Sequence, residues 1–153
     1  SEGHRFMNAA AYGGKATQHY LLQRIAGASP EQLASLLLEG AQRFLAQAME
    51  AMERRDIPAK ARLVNRVSAI LEELVVQLNP EGGELAGNLS RVYEWWLFEL
   101  FEASRINQLD RLRHIHAQMG EIRATFEQLS QGQPAPPAQG STPAGFGSEG
   151  LLG

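Results

Sequence analysis

No cysteine occurs in the chain. That excludes a disulfide scaffold, a thiolate metal site and a thiol nucleophile, and it is compatible with a reducing compartment. No apolar run reaches the roughly 18 residues that a membrane span requires. The densest stretch, Trp95 to Phe101, is short and carries Glu99. The N-terminal end shows no apolar signal core. Basic charge is in deficit, with 14 Lys and Arg against 17 Asp and Glu and a formal net charge of -3. A nucleic-acid binder normally presents a basic face, so that class is disfavoured. Strand signals are missing at any length, and with them the strand-to-helix glycine loops that cradle phosphates.

What is present suits a helical domain. The chain's 153 residues are enough for one domain with a real core. Residues 1–6, ahead of Met7, read as a vector-derived remnant, and residues 7–131 as a helical bundle. Residues 132–153 shift to Pro, Gly, Ala, Ser and Gln. Such a segment buries too little apolar surface to offset its ordering entropy, so it reads as a flexible tail. Phe146, Leu151 and Leu152 are its isolated apolar side chains.

Caps and periodicity place the helices. Lys15 to Ala26 forms a modest first helix containing Tyr20, Leu21 and Ile25. Ser29-Pro30-Glu31-Gln32 is a strong helix start: Ser29 caps, Pro30 has the right fixed φ, and Gln32 completes a capping box. Leu33, Leu36, Leu37, Gly40, Ala41, Phe44, Leu45, Ala48 and Met52 then recur at helical spacing, to about Arg54. Pro58 opens the next helix, with a stripe of Ala61, Val64, Val67, Ile70, Leu71, Leu74, Val75 and Leu78. Asn79 to Gly83 ends it. A fourth helix carries Leu85, Leu89, Val92, Tyr93, Trp96, Leu97 and Leu100. Asn107 is the expected cap of a fifth, whose stripe is Leu109, Leu112, Ile115, Met119, Ile122, Phe126 and Leu129. Gly120 is a weak point within it. The expected fold is all-α: an antiparallel four-helix bundle with an additional short N-terminal helix packed across it.

Catalytic chemistry finds little support. A di-metal bundle needs Glu-x-x-His pairs projecting inward, and none occurs. His114 and His116 are two apart, so on a helix they point in different directions and make a poor metal pair. A phosphorylatable histidine at His114 or His116 is the enzyme-like alternative, although no flanking lysine or small-residue clearing supports it. Glu31, Glu39, Glu72 and Glu73 fall on polar helix sides, and Gly82-Gly83 is explained by a turn. No catalytic residue, metal or cofactor is expected.

The fourth helix asks for a partner. With about 100° per residue and Trp95 at zero, Leu85, Leu89, Val92, Trp96, Leu100 and Ala103 fall between about 60° and 140°. That arc is the core face. Tyr93, Leu97 and Phe101 lie on its flank, and Phe98, near about 300°, points almost opposite. The helix is therefore apolar nearly all round from Trp95 to Phe101, which is normal for a helix buried on every side. A small bundle buries one side. The expected cover for Trp95, Phe98 and Phe101 is the N-terminal segment, a second copy or a protein partner, and exposed aromatics favour a binding site.

The pattern resembles a known family, the FliS-type flagellin export chaperones of bacterial flagella. Ala11-Tyr12 precedes Ala28-Ser29-Pro30-Glu31-Gln32-Leu33. Leu37-Leu38-Glu39-Gly40-Ala41 is similar to that family's Leu-Tyr-Asp-Gly-Ala. Gly82-Gly83-Glu84-Leu85-Ala86-Gly87-Asn88-Leu89 resembles its fourth-helix entry, and Val92-Tyr93, Leu100 and Ala103 keep its spacing. Ser104 replaces the usual asparagine, Phe126 falls near the usual tryptophan, and Trp95-Trp96 is bulkier than the usual pair. The resemblance implies a cytosolic chaperone that binds the disordered C-terminal region of flagellin and delivers it to an export-gate component. It also implies that the stretch around Tyr12 to Tyr20 occupies part of the client surface when the client is absent. The expected client-binding residues are Trp95, Leu97 and Phe98, with Tyr93 and Phe101 on the flank and Tyr12 and Tyr20 in the gating segment. Leu37, Ala41 and Leu74 serve either as groove or as core. A monomer or weak homodimer is expected, with no nucleic acid and no membrane insertion. The alternatives are a self-associating or adaptor bundle and the histidine phosphotransfer module.

Overall fold

A computed structural model of the chain describes residues 15–132, apart from the side chains of Lys15, Ala16, Thr17 and Leu21. Residues 1–14, with Tyr12, and the segment 133–153 lie outside the described residues. The described residues form α1 (Lys15–Ala26), α2 (Pro30–Glu53), α3 (Ile57–Val76), α4 (Gly83–Arg105) and α5 (Leu109–Ser130), with no strand among them. α2 packs against α3 and α5, and α4 packs against the same two helices. The connections at 54–56, 77–82 and 106–108 are short, so each long helix returns antiparallel beside its predecessor. The expected four-helix bundle with a short preceding helix is what forms.

Two starts and two stops have a clear chemical cause. The Gln32 N–H donates to Ser29 Oγ at 3.1 Å, and the Ser29 N–H donates to Gln32 Oε1 at 2.9 Å. The expected capping box is present. Ser29→Ala removes one half of it and is expected to lower stability by about 1 kcal/mol. A urea titration reads this as a lower midpoint at unchanged slope. α3 starts at Ile57 with Pro58 in its first turn, capped by Asp56 Oδ1, which accepts from the Ala59 N–H at 3.2 Å. α2 and α4 end alike. Arg55 and Asn107 take left-handed backbone, at φ 61 and 56, and the following amides reach back to Ala51 and Ala103 carbonyls at 2.9 and 2.8 Å. These are Schellman closures, in which one left-handed residue lets trailing amides satisfy the last carbonyls. Asn107 therefore closes α4 and does not cap α5, where Gln108 is the cap residue without a side-chain bond. The Asn107 side chain instead accepts from Lys60 Nζ at 3.1 Å.

The core is continuous. Leu38, Leu45, Val67, Leu71, Trp96, Leu100, Leu112, Ile115 and Met119 are among its fully buried members. The expected stripes hold over most of their length, with local departures on α2 and α3. Near the start of α2 the buried residues are Ala34, Ser35 and Leu38, whereas Leu33, Leu36 and Leu37 are half-buried; from Gly40 to Met52 the expected stripe residues are buried. On α3, Leu63 is buried and Ala61 is exposed. α2 faces two neighbours at once, so its buried arc is wide, and the run Leu36-Leu37-Leu38 fits several rotations equally well. Gly120 also has a reason. A Cβ there stands 2.9 Å from Gln42 Nε2, and that amide crosses from α2 to donate to the His116 carbonyl at 3.1 Å.

Candidate functional site

α4 separates its aromatics into an inner and an outer set. Trp96 is fully buried and its indole N–H donates to Gln118 Oε1 on α5 at 2.9 Å. Tyr93 is buried beside it, their ring centroids 5.7 Å apart. Burial pushes the Tyr93 phenol far above its ordinary range, because a phenolate has no water there. On the outer side, Trp95 is 39% exposed, Phe98 63% and Phe101 47%. Steps of three residues keep successive side chains adjacent on a helix, so these rings form one ridge. Among the described residues nothing covers these rings fully, and the N-terminal residues that include Tyr12 lie outside the described ones. Trp95 leans towards α5 and meets the His114 ring edge-on at 6.4 Å. His114 Nε2 lies 3.2 Å from Gln118 Nε2, so a single glutamine joins the inner tryptophan to the neighbour of the outer one.

The ridge has a charged margin. Arg111 Nε donates to Glu99 Oε2 at 3.1 Å, and its Nη2 reaches the other oxygen, in a bidentate pair between α5 and α4. Glu102 accepts from Arg105 at 2.6 Å. The hydrogen bond from Arg111, together with its charge, holds the Glu99 carboxyl below its ordinary value. A carboxyl depressed in the folded state stabilises the fold above its unfolded value, and that stabilisation is lost as pH falls through the folded one. Glu99→Gln is therefore expected to flatten the loss of stability between pH 5 and pH 3, about the ordinary carboxylate range. Thermal melts over that range measure it.

A second surface lies at the Ser29 end of the bundle. Leu33, Leu74, Leu78, Leu85, Leu89 and Phe126 line an open, mainly apolar groove of about 620 Å³ between the start of α2, the end of α3, the start of α4 and the end of α5. Gly83, at φ 70, makes the turn that brings α4 into it.

The expected site residues divide accordingly. Trp95, Phe98 and Phe101 come together on the ridge, with Leu97 half-buried on the α4 flank. Ala41 is fully buried in the core. Leu74 and Tyr93 are 2% and 1% exposed and form part of the groove wall. These three have almost no surface to offer a client on the ridge, because α4 turns Tyr93 inward and α2 and α3 enclose the other two. Leu37 is half-buried against the core. Tyr20 is exposed on α1, with the Arg24 guanidinium 5.5 Å above its ring. Periodicity did not single out Gln118 or the groove. A glutamine on an apolar stripe, four residues from His114, was the available signal for the first. The groove depends on how four helix ends meet. Among the described residues no histidine and carboxylate group is arranged to hold a metal ion, and no helix is long and apolar enough to cross a membrane. His114 is tied to Gln118, and His116 is half-buried.

Comparison with known proteins agrees with the architecture. The family described as Flagellar protein FliS matches residues 13–133. The flagellar secretion chaperone FliSB of Pseudomonas aeruginosa is 36% identical over 124 residues, covering 78% of this chain and 98% of that protein. The flagellar secretion chaperone FliS of Salmonella typhimurium is 30% identical over 108 residues, covering 69% of this chain and 80% of its own length. The protein of the same name from Campylobacter jejuni is 38% identical over 88 residues, covering 57% and 69%.

Proposed function

This chain belongs to the FliS family of flagellar proteins, and on that premise we propose that it is a flagellar export chaperone whose client is the C-terminal region of flagellin. One observation supports the reading above all: three aromatic rings stand exposed on the outside of a bundle whose core is already full. Scattered surface apolar residues are normal, but a contiguous aromatic patch with a charged rim is a partner site. A disordered client suits it. Such a segment loses entropy on ordering, binds modestly per unit area and can wrap a large surface. Amphipathic turns of the client lie along Trp95, Phe98 and Phe101, with Leu97 beside them. While bound, the client's apolar pieces are withheld from polymerisation. On this reading the complex forms in the cytosol and is handed to an export-gate component.

Calorimetric titration with a peptide from the flagellin C-terminus tests the proposal. Saturable binding is expected, with a negative heat-capacity change from apolar burial. Flagellin lacking that segment is expected to bind no better than an unrelated unfolded chain. Equal binding of the full and truncated flagellins contradicts the assignment of the client.

A further inference from the structure

We propose that the groove at the Ser29 end is a docking site for the chain's own C-terminal segment, with Phe146, Leu151 and Leu152 as the inserted side chains.

The groove is apolar and open, and none of the three ridge aromatics lines it. Its occupant is chosen by where the chain emerges. α5 ends at Ser130, and Phe126, one turn earlier, is part of the groove wall. At a helical rise of about 1.5 Å per residue, residue 132 leaves the bundle only about 9 Å beyond Phe126. Ser35 near the start of α2 donates to Glu127 at 3.0 Å, so the end of α5 is fixed beside the groove. Gly132 then takes left-handed backbone, φ 76, the device by which a chain turns aside from a helix axis.

The sequence beyond this point has little else to bury. From Gln133 to Gly153, Phe146, Leu151 and Leu152 are the large apolar side chains, separated from α5 by a run rich in proline and alanine. A linker from residue 133 to 146 reaches at most about 50 Å and averages roughly 20 Å as a coil. The groove lies well within that distance. A short tether gives roughly millimolar effective concentration, so an interaction too weak to see between separate molecules fills an intramolecular site. The family match ends at residue 133, so common family features do not account for these three side chains.

The absence of native cysteine gives a clean test in the full-length chain. Ser148→Cys carries a nitroxide label, and the amide resonances of 15N-labelled protein report its position. Loss of intensity is expected to be strongest at Leu33, Leu78 and Leu85 and weaker at Phe98 and Phe101. Adding Phe146→Ser, Leu151→Ser and Leu152→Ser is expected to restore the groove signals, as is Leu78→Glu at the half-buried groove edge. Three results overturn the proposal. One is attenuation that survives the triple serine change, which means proximity through the tether alone. Another is attenuation in unlabelled 15N chain mixed with labelled 14N chain, which means a second copy. The last is attenuation centred on the ridge.

Discussion

Phe98→Glu is expected to weaken client binding by about 2 kcal/mol, roughly thirtyfold in Kd, while leaving the bundle intact. Phe98 is 63% exposed, so the fold gains little from it, and a surface change of this kind shifts stability by about 0.5 kcal/mol or less. Binding differs, because a central aromatic anchor is fully desolvated in the complex. Glutamate there must either lose its water or hold the client away. It also adds a negative charge beside Glu94 and Glu102, which repels an acidic segment. Val76→Glu on α3 is the matched control. Val76 is 75% exposed and outside the ridge, so its replacement is expected to leave Kd unchanged. Calorimetry gives the affinities and a urea titration verifies the folds.

The opposite separation of effects is expected on the inner side of the same helix, at Trp96. Its side chain is fully buried and contacts the core from the same helix that carries the ridge. Trp96→Ala is expected to cost about 3 to 5 kcal/mol through lost burial and the cavity left behind. That is a large part of the roughly 5 to 15 kcal/mol available to a domain. Trp96→Phe keeps much of the ring but strands Gln118 Oε1, which accepts the indole N–H at 2.9 Å. An unpaired buried acceptor costs about 1 to 3 kcal/mol. Pairing Trp96→Phe with Gln118→Met removes that acceptor, so the double variant is expected to be more stable than Trp96→Phe alone. Chemical denaturation of the four proteins measures the coupling.

Adjacent tryptophans with opposite duties show what sequence can and cannot reveal. The helical angle alone separates Trp96 from Trp95 and Phe98, since 100° steps turn one inward and the others out. The bundle, the cap at Ser29, the helix start at Pro58 and the turn at Gly82-Gly83 were likewise legible. Periodicity was weaker where apolar residues run together. Leu36, Leu37 and Leu38 satisfy several rotations, and only packing against both α3 and α5 chose Leu38. Flanking Tyr93 was likewise ambiguous, and α4 turns it into the core. Asn107 shows a second limit. Asparagine suits a helix start and a left-handed closure alike, and the close approach of Lys60 and the end of α4 decided for closure. The groove was illegible because its walls come from four helix ends far apart in sequence.

Client contact on the α4 ridge is tested most directly by site-specific photocrosslinking. A chain with p-benzoylphenylalanine in place of Phe98 is irradiated with flagellin, and the adducts are mapped by mass spectrometry. The expected result is a crosslink from position 98 to the flagellin C-terminal region, competed away by the free C-terminal peptide, with no adduct from the same group at position 76. Efficient crosslinking from position 76 and none from position 98 contradicts the account.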